Sequence, residues 1–163
     1  MLDENGYRPN VGIILCNHEN HVFWARRCGQ SGWQFPQGGI KPYETPEQAL
    51  FRELNEEVGL APEHVQVIGR TREWLHYDIP EQFRRSVRNS PFRGQKQIWF
   101  LLRFLAGEEK VRLNACERPE FDRWRWVEYW SPLGEIVEFK RPVYELALRE
   151  LEPLLSGPES RPD

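Results

Sequence analysis

Apolar residues along this chain come in short blocks separated by polar and turn-forming ones. NVGIILC and VFWARR flank the polar NHENH, which predicts a hairpin from Asn10 to Cys16 and from Val22 to Arg27. CGQSGWQFPQGGIKPYE is too rich in Gly and Pro for regular structure and predicts a long loop with a short strand near Trp33 to Phe35. VQVIGRTREWLHYDI reads as one or two strands, and PEQFRRSVRNSPFRGQ as a polar, Arg-rich connection. KQIWFLLRFL reads as a strongly buried strand. FDRWRWVEYW alternates aromatic and charged residues with period two, the mark of a half-buried strand, and Trp124, Trp126 and Trp130 are assigned to core and sheet packing. RPVYELALRELEPLLS is amphipathic at helical spacing and closes the domain. Strands outnumber helices, and the helices fall mid-chain and at the end. The pattern predicts a mixed α/β layered domain, a sheet between helices, over residues 1–156, with SGPESRPD leaving a flexible tail at 157–163.

One helix is signed at both ends. Thr45 is a good N-cap, Pro46 suits the first helical position, Gln48 completes a T-x-x-Q capping box, and Gly59 is a natural stop, so the helix runs from Pro46 to Val58. With Leu50 at zero and ~100° per residue, Leu54 and Val58 fall near ~40° and ~80°, and Glu57, Glu53 and Glu56 near ~340°, ~300° and ~240°. The carboxylates therefore start at the edge of the apolar stripe, where like charges repel more strongly than in water. The negative end of the helix dipole adds to the problem. Arg52 can pair with Glu56 one turn away, but one guanidinium does not neutralise three glutamates. Hard divalent cations, which take oxygen ligands, would.

Composition narrows the functional classes. The chain has 163 residues, a size that buries a real core, and 13% of them are aromatic, seven of these Trp, which excludes a disordered tail. A formal net charge of −3 provides no global field to draw the protein along a nucleic-acid duplex. Of 22 cationic residues only Lys41, Lys96, Lys110 and Lys140 are lysines; the rest are arginines, whose planar fork suits phosphate and stacks on bases. Cys16, Cys28 and Cys116 are odd in number and contain no C-x-x-C, which argues against a disulfide partner or a zinc ribbon. MLDENGYRPN is acidic and polar, unlike a secretory signal, and no apolar run approaches the ~18 residues of a membrane span. The expectation is a cytoplasmic monomer.

The glutamates belong to a longer string. GGIKPYETPEQALFRELNEEVGL, Gly38 to Leu60, resembles the Nudix box, G-x5-E-x7-R-E-U-x-E-E-x-G-U with U bulky and apolar, at every fixed position: Gly38, Glu44, Arg52, Glu53, Leu54, Glu56, Glu57, Gly59 and Leu60. With each fixed polar or Gly residue at ~6% usage, a chance match in this chain is on the order of 10⁻⁷. The resemblance implies the Nudix α/β/α sandwich with a mixed sheet, and hydrolysis of a nucleoside diphosphate linked to another group, dependent on two or three Mg²⁺ or Mn²⁺ ions. It implies Glu53, Glu57 and Arg52 as catalytic residues and Glu53, Glu56, Glu57, Gly38 and, from a late loop, Glu120 as the metal set. Glu44 is either a further metal contact or a structural partner of Arg52.

The flanks GYRPNVGI, WQFPQGGI, GQKQIWFLL, PEFDRWRWV and VEFKRPVY look like the bacterial RNA pyrophosphohydrolases, which convert 5′-triphosphorylated RNA to the 5′-monophosphate and open the message to degradation. WQFPQGGI is shared with the diadenosine polyphosphate hydrolases, the alternative substrate class. The resemblance makes Arg8 and Phe139 candidate stacking faces, Lys140 a neighbour of the chain's phosphates, and Arg27, Gln95 and Lys96 triphosphate contacts. PEQFRRSVRNSPFRGQ departs from this likeness. A non-catalytic 5′-end binding module on the same scaffold would ordinarily show a broken box, and here all three glutamates of the R-E-U-x-E-E segment stand.

Overall fold

The structure is a computed structural model that describes residues 2–84 and 91–156. The expected tail, and residues 85–90 of the Arg-rich connection, lie outside the described residues. Eight strands form one mixed sheet: β1 (Tyr7–Cys16), β2 (Val22–Arg27), β3 (Trp33–Gln34), β4 (Gln37–Gly39), β5 (Val65–Arg70), β6 (Leu75–Asp78), β7 (Gly94–Phe104) and β8 (Phe121–Val127). The helices are α1 (Pro46–Val58), α2 (Pro132–Glu135) and α3 (Arg141–Leu155).

The spine is the parallel pair β1 and β7, in register from Tyr7 opposite Gly94 to Cys16 opposite Arg103. Period-two alternation sends their side chains to two separate cores. Val11, Ile13 and Leu15 of β1 and Ile98, Phe100 and Leu102 of β7 pack under Ala49, Leu50, Leu54 and Val58 of α1. Ile14, Trp99 and Leu101 pack on the other side against Val143, Tyr144, Ala147, Leu148 and Leu151 of α3. This is the α/β/α sandwich.

Two features differ from the pattern-based expectation. The β1–β2 hairpin exists only at its base, where Cys16 faces Val22. Beyond it the strands splay, and WQFPQGG fills the gap: β3 pairs with Ala25 and Arg26 of β2, the chain crosses over at Phe35 and Pro36, and β4 pairs with Asn10 to Gly12 of β1. The proline carbonyl closes the crossing by accepting from Ile13 N–H at 2.9 Å. A loop rich in Gly and Pro thus becomes sheet because the open strand edges have hydrogen bonds to satisfy. Second, Trp130 lies beyond β8 and is 45% exposed, so its assignment to core packing is corrected: Trp124 and Trp126 stay on the strand and meet Phe23, while Trp130 makes an edge contact with Tyr129. VQVIGRTREWLHYDI forms two strands, β5 and β6, both paired with β7, within the expectation of one or two.

The helix α1 forms as its residues dictate. Thr45 Oγ1 accepts from Gln48 N–H and the Gln48 amide oxygen accepts from Thr45 N–H, while Gly59 N–H reaches the Asn55 and Leu54 carbonyls. These caps bound the helix at the residues the sequence indicates and leave its last turn facing β4.

Candidate active site

Two of the three glutamates are drawn into the protein. Glu53 and Glu57 are each 8% exposed, whereas about half of the Glu56 side chain stays in solvent. Glu53 lies against the backbone of β4 so closely that a Cβ on Gly38 would stand 2.0 Å from the Glu53 carboxyl carbon. Only glycine fits between the strand and the carboxylate.

Arg52 organises the acidic group. Its Nε and Nη2 grip the Glu44 carboxylate at 2.7 and 2.8 Å, Nη1 donates to Glu53 Oε1 at 2.7 Å, and Nη2 also donates to the Gly39 carbonyl at 2.7 Å. The one-turn contact to Glu56 is the longest, at 3.4 Å. Lys41 N–H donates to Glu44 as well. The Arg52 hydrogen bonds hold the Glu44 carboxyl down at about 2, so of its two possible roles the structure favours the partner of Arg52. Such a bidentate clamp fixes the guanidinium and, through it, Glu53.

Glu57 is the opposite case. Burial first, then the charges of Glu53 and Glu120, push its carboxyl well above the ordinary carboxylate range; the Gln37 backbone N–H beside it opposes them. Burial likewise raises Glu53, against the pull of Arg52. The Oε2 atom of Glu57 is buried and has no hydrogen-bond partner. Among the described residues no three His, Cys, Asp or Glu side chains stand together as a ready ligating group. The donor set nonetheless fits a hard divalent cation: an orphaned buried carboxylate oxygen, a second buried carboxylate in a glycine cradle, and Glu120 close enough to act on Glu57.

Next to the carboxylates lie two cations that are not neutralised in the usual way. Lys140 is buried, donates to Gln34 Oε1 at 3.1 Å and sits 5.9 Å from the centre of the Tyr77 ring, and among the described residues no carboxylate pairs with it. Burial, reinforced by repulsion from Arg27, lowers its ammonium to about 8, against a smaller pull from Glu120. A bulge opposite Arg26 and Arg27 leaves Asp122 out of the β8 ladder. Asp122 holds Arg26, at 2.8 Å, and Arg27 reaches Glu120 at 3.7 Å with its Nε otherwise unpartnered.

A family model for the NUDIX domain matches residues 6–147. The chain belongs to the NUDIX family. Members of this family are hydrolases of nucleoside diphosphate derivatives and generally require divalent metals such as Mg²⁺ or Mn²⁺. Solved structures share the fold. An Ap4A hydrolase from C. elegans, in a binary complex, is 18% identical over 92% of this chain and 98% of its own, with a TM-score of 0.66. The dihydroneopterin triphosphate pyrophosphohydrolase of E. coli is 18% identical over 88% and 98%, with a TM-score of 0.69. A MutT protein from Methanosarcina mazei Go1 is 20% identical over 91% and 97%, with a TM-score of 0.57.

The other candidate contacts of this Nudix protein scatter. Gln95 and Lys96 are neighbours on β7 and so point to opposite faces of the sheet. Gln95 keeps a buried side-chain oxygen without a partner among the described residues, whereas Lys96 is held by Asp3 at 3.2 Å and lies 4.7 Å from the Trp74 ring centre. Arg8 is exposed and rests over Phe92, 4.8 Å from its centre. Phe139 is packed between Tyr77, at 6.0 Å, and Phe83, at 5.8 Å and nearly parallel. Tyr77, Phe83 and Gln37 were not singled out by the pattern. Phe83 is one of only two aromatics in the polar connection, and Gln37 stands inside WQFPQGG, the stretch the sequence had already flagged. The three cysteines are free, and among the described residues no helix is long and apolar enough to cross a membrane.

Proposed function

We propose that this Nudix hydrolase converts the 5′-triphosphate end of RNA to a 5′-monophosphate in the cytoplasm, acting as a monomer and so promoting message decay. The observation that carries the reading is Lys140, a buried ammonium without a carboxylate partner among the described residues, with Arg27 and Glu120 near enough to act on it. A buried cation left unpaired is costly, and an incoming polyphosphate supplies the missing charge. From this point the rings of Tyr77, Phe139 and Phe83 lead outward to Phe83, which is 58% exposed and offers a stacking surface for a base following the phosphates.

In this reading Glu53, Glu56, Glu57 and Glu120, with Gly38 at the cradle, hold Mg²⁺ or Mn²⁺. When bound, the cation supplies charge neutralisation at the phosphates and acidifies a water. Glu53 orients or deprotonates the attacking water, and Arg52, clamped by Glu44, keeps Glu53 in place. Arg27 and Lys140 draw the phosphate chain over the carboxylates, Gln95 offers its amide, and Lys96 and Arg8 act at the margin of the site.

The test is product analysis on a short 5′-triphosphate RNA labelled at the α-phosphate, with an equal amount of diadenosine tetraphosphate in competition. The expected result is labelled 5′-monophosphate RNA formed in preference to mononucleotide products. Turnover of the dinucleotide alone overturns the RNA reading and favours hydrolysis of dinucleoside polyphosphates, the substrate class in the name of the structurally similar C. elegans enzyme.

A further inference from the structure

A chain of buried and half-buried amides with a fixed direction leads to Tyr77. Trp99 lies flat over Gly12, where a Cβ would stand 2.4 Å from the indole. An indole N–H can only donate. Trp99 Nε1 donates to Gln97 Oε1 at 3.1 Å, which settles how the fully buried Gln97 amide is turned. Its Nε2 must then face the other way, and it donates to Asn10 Oδ1 at 2.8 Å and to Gln37 Oε1 at 3.4 Å. With its oxygen engaged by Gln97, the Gln37 amide turns its own Nε2 to the Tyr77 hydroxyl, at 3.5 Å. Tyr77 therefore accepts from the protein, and among the described residues nothing accepts its proton.

We propose that Tyr77 is a substrate-binding residue, whose hydroxyl proton the Trp99–Gln97–Gln37 relay turns toward the phosphate chain held by Arg27 and Lys140. The inference rests on the polyphosphate reading above and adds a neutral donor to its two cations. Run in reverse, the relay would have Tyr77 donate to Gln37 and offer only lone pairs to an anion. That direction is closed because Trp99 cannot accept. Burial holds the phenol up at about 12, so the proton stays in place at neutral pH, and Arg27 is near enough to oppose that rise. Trp99, Gln97 and Gln37 are positioning residues that act through Tyr77.

The test is calorimetric binding of imidodiphosphate, a pyrophosphate analogue whose bridging nitrogen resists cleavage, in Mg²⁺. Tyr77→Phe keeps the ring on Phe139 and removes only the hydroxyl. A hydrogen bond to a charged acceptor gives an expected weakening of about tenfold or more, with the thermal melt unchanged. Trp99→Phe should also weaken binding, because both amides can then turn over and Tyr77 can spend its proton on Gln37. In the double variant the Trp99→Phe effect should vanish, an interaction that loss of packing would not produce. Equal affinity of wild type and Tyr77→Phe overturns the assignment of Tyr77. An undiminished Trp99→Phe effect in the Tyr77→Phe background overturns the relay. If the wild type itself does not bind the probe, the polyphosphate reading falls and Tyr77 with it. Should Tyr77→Phe not fold, 3-fluorotyrosine at position 77 carries the test: its fluorine resonance moves on adding imidodiphosphate if the hydroxyl donates, and a resonance that stays put sinks the proposal.

Discussion

Glu57→Gln should reverse the response of this protein to magnesium. In the absence of metal the Glu57 carboxylate is buried, its Oε2 has no partner, and Glu53 and Glu120 bear on it. A glutamine of the same size keeps an oxygen for the Gln37 N–H and turns an amide N–H toward those carboxylates. A buried unsatisfied group costs about 1–3 kcal/mol. Relieving it should raise the melting point of the metal-free variant above the wild type, by about 2–4 °C per kcal/mol for a chain of this size. With Mg²⁺ at about a hundred times its dissociation constant, the wild type gains about 2.7 kcal/mol, and the variant, short of a ligand, gains less. The two melting points should therefore cross as Mg²⁺ is added. The pH dependence has a definite sign. A carboxyl raised above its unfolded value contributes stability below that value, about pH 4.5, and loses it as pH rises through the folded value. Metal-free wild type should thus melt progressively lower as pH climbs from about 4.5, and Glu57→Gln should lose much of that slope. Thermal melts in EDTA and in Mg²⁺, at two pH values, read all of this. Curves that never cross, with Mg²⁺ shifting both proteins equally, would refute the idea that Glu57 is buried there to ligate a cation.

Other perturbations have equally definite outcomes. Gly38→Ala places a methyl group on the Glu53 carboxylate, and steady-state assays should show kcat down about 10²-fold, the scale of losing a water-activating group; near-normal turnover would exclude a tight cradle. Lys140, lowered to about 8, should lose its proton as pH passes that value, so KM for a polyphosphate substrate should rise above pH 8 in the wild type and stay level in Lys140→Arg. The same lowered value means that wild-type stability rises between about pH 8 and 10.5, because the unfolded chain binds the extra proton there, and melts of Lys140→Gln should lack that rise. Phe83→Ala removes the exposed ring and should raise KM for triphosphate RNA about tenfold with little change in melting, whereas Phe139→Ala, which empties the space between Tyr77 and Phe83, should lower the melting point as well.

The residues by themselves determined the features that depend on local spacing. The bounds of α1 follow from Thr45, Pro46, Gln48 and Gly59, because caps are contacts within a few residues of each other. The burial of Glu53 and Glu57, with Glu56 left outside, follows from a helical period applied to one apolar stripe. The nine fixed positions of the box carried the family and, with it, the sandwich. Tertiary structure decided whatever depends on which strand edges meet. WQFPQGG looks like a loop until the splay of β1 and β2 opens two edges for it. The sequence leaves Arg52 between Glu56, one turn on, and Glu44; its short contacts are with Glu53 beside it and with Glu44 and the Gly39 carbonyl, brought in by the chain that precedes the helix. Lys140 and Arg27 are 113 positions apart and become neighbours only when the turn leading into α3 packs against the sheet that contains β2. Gln95 and Lys96 are adjacent in the chain and parted in space, because a strand turns successive side chains to opposite faces. Charge and hydrogen-bond polarity are properties of such non-local meetings, and no pattern along the chain encodes the direction in which Trp99 turns the amides beneath Tyr77.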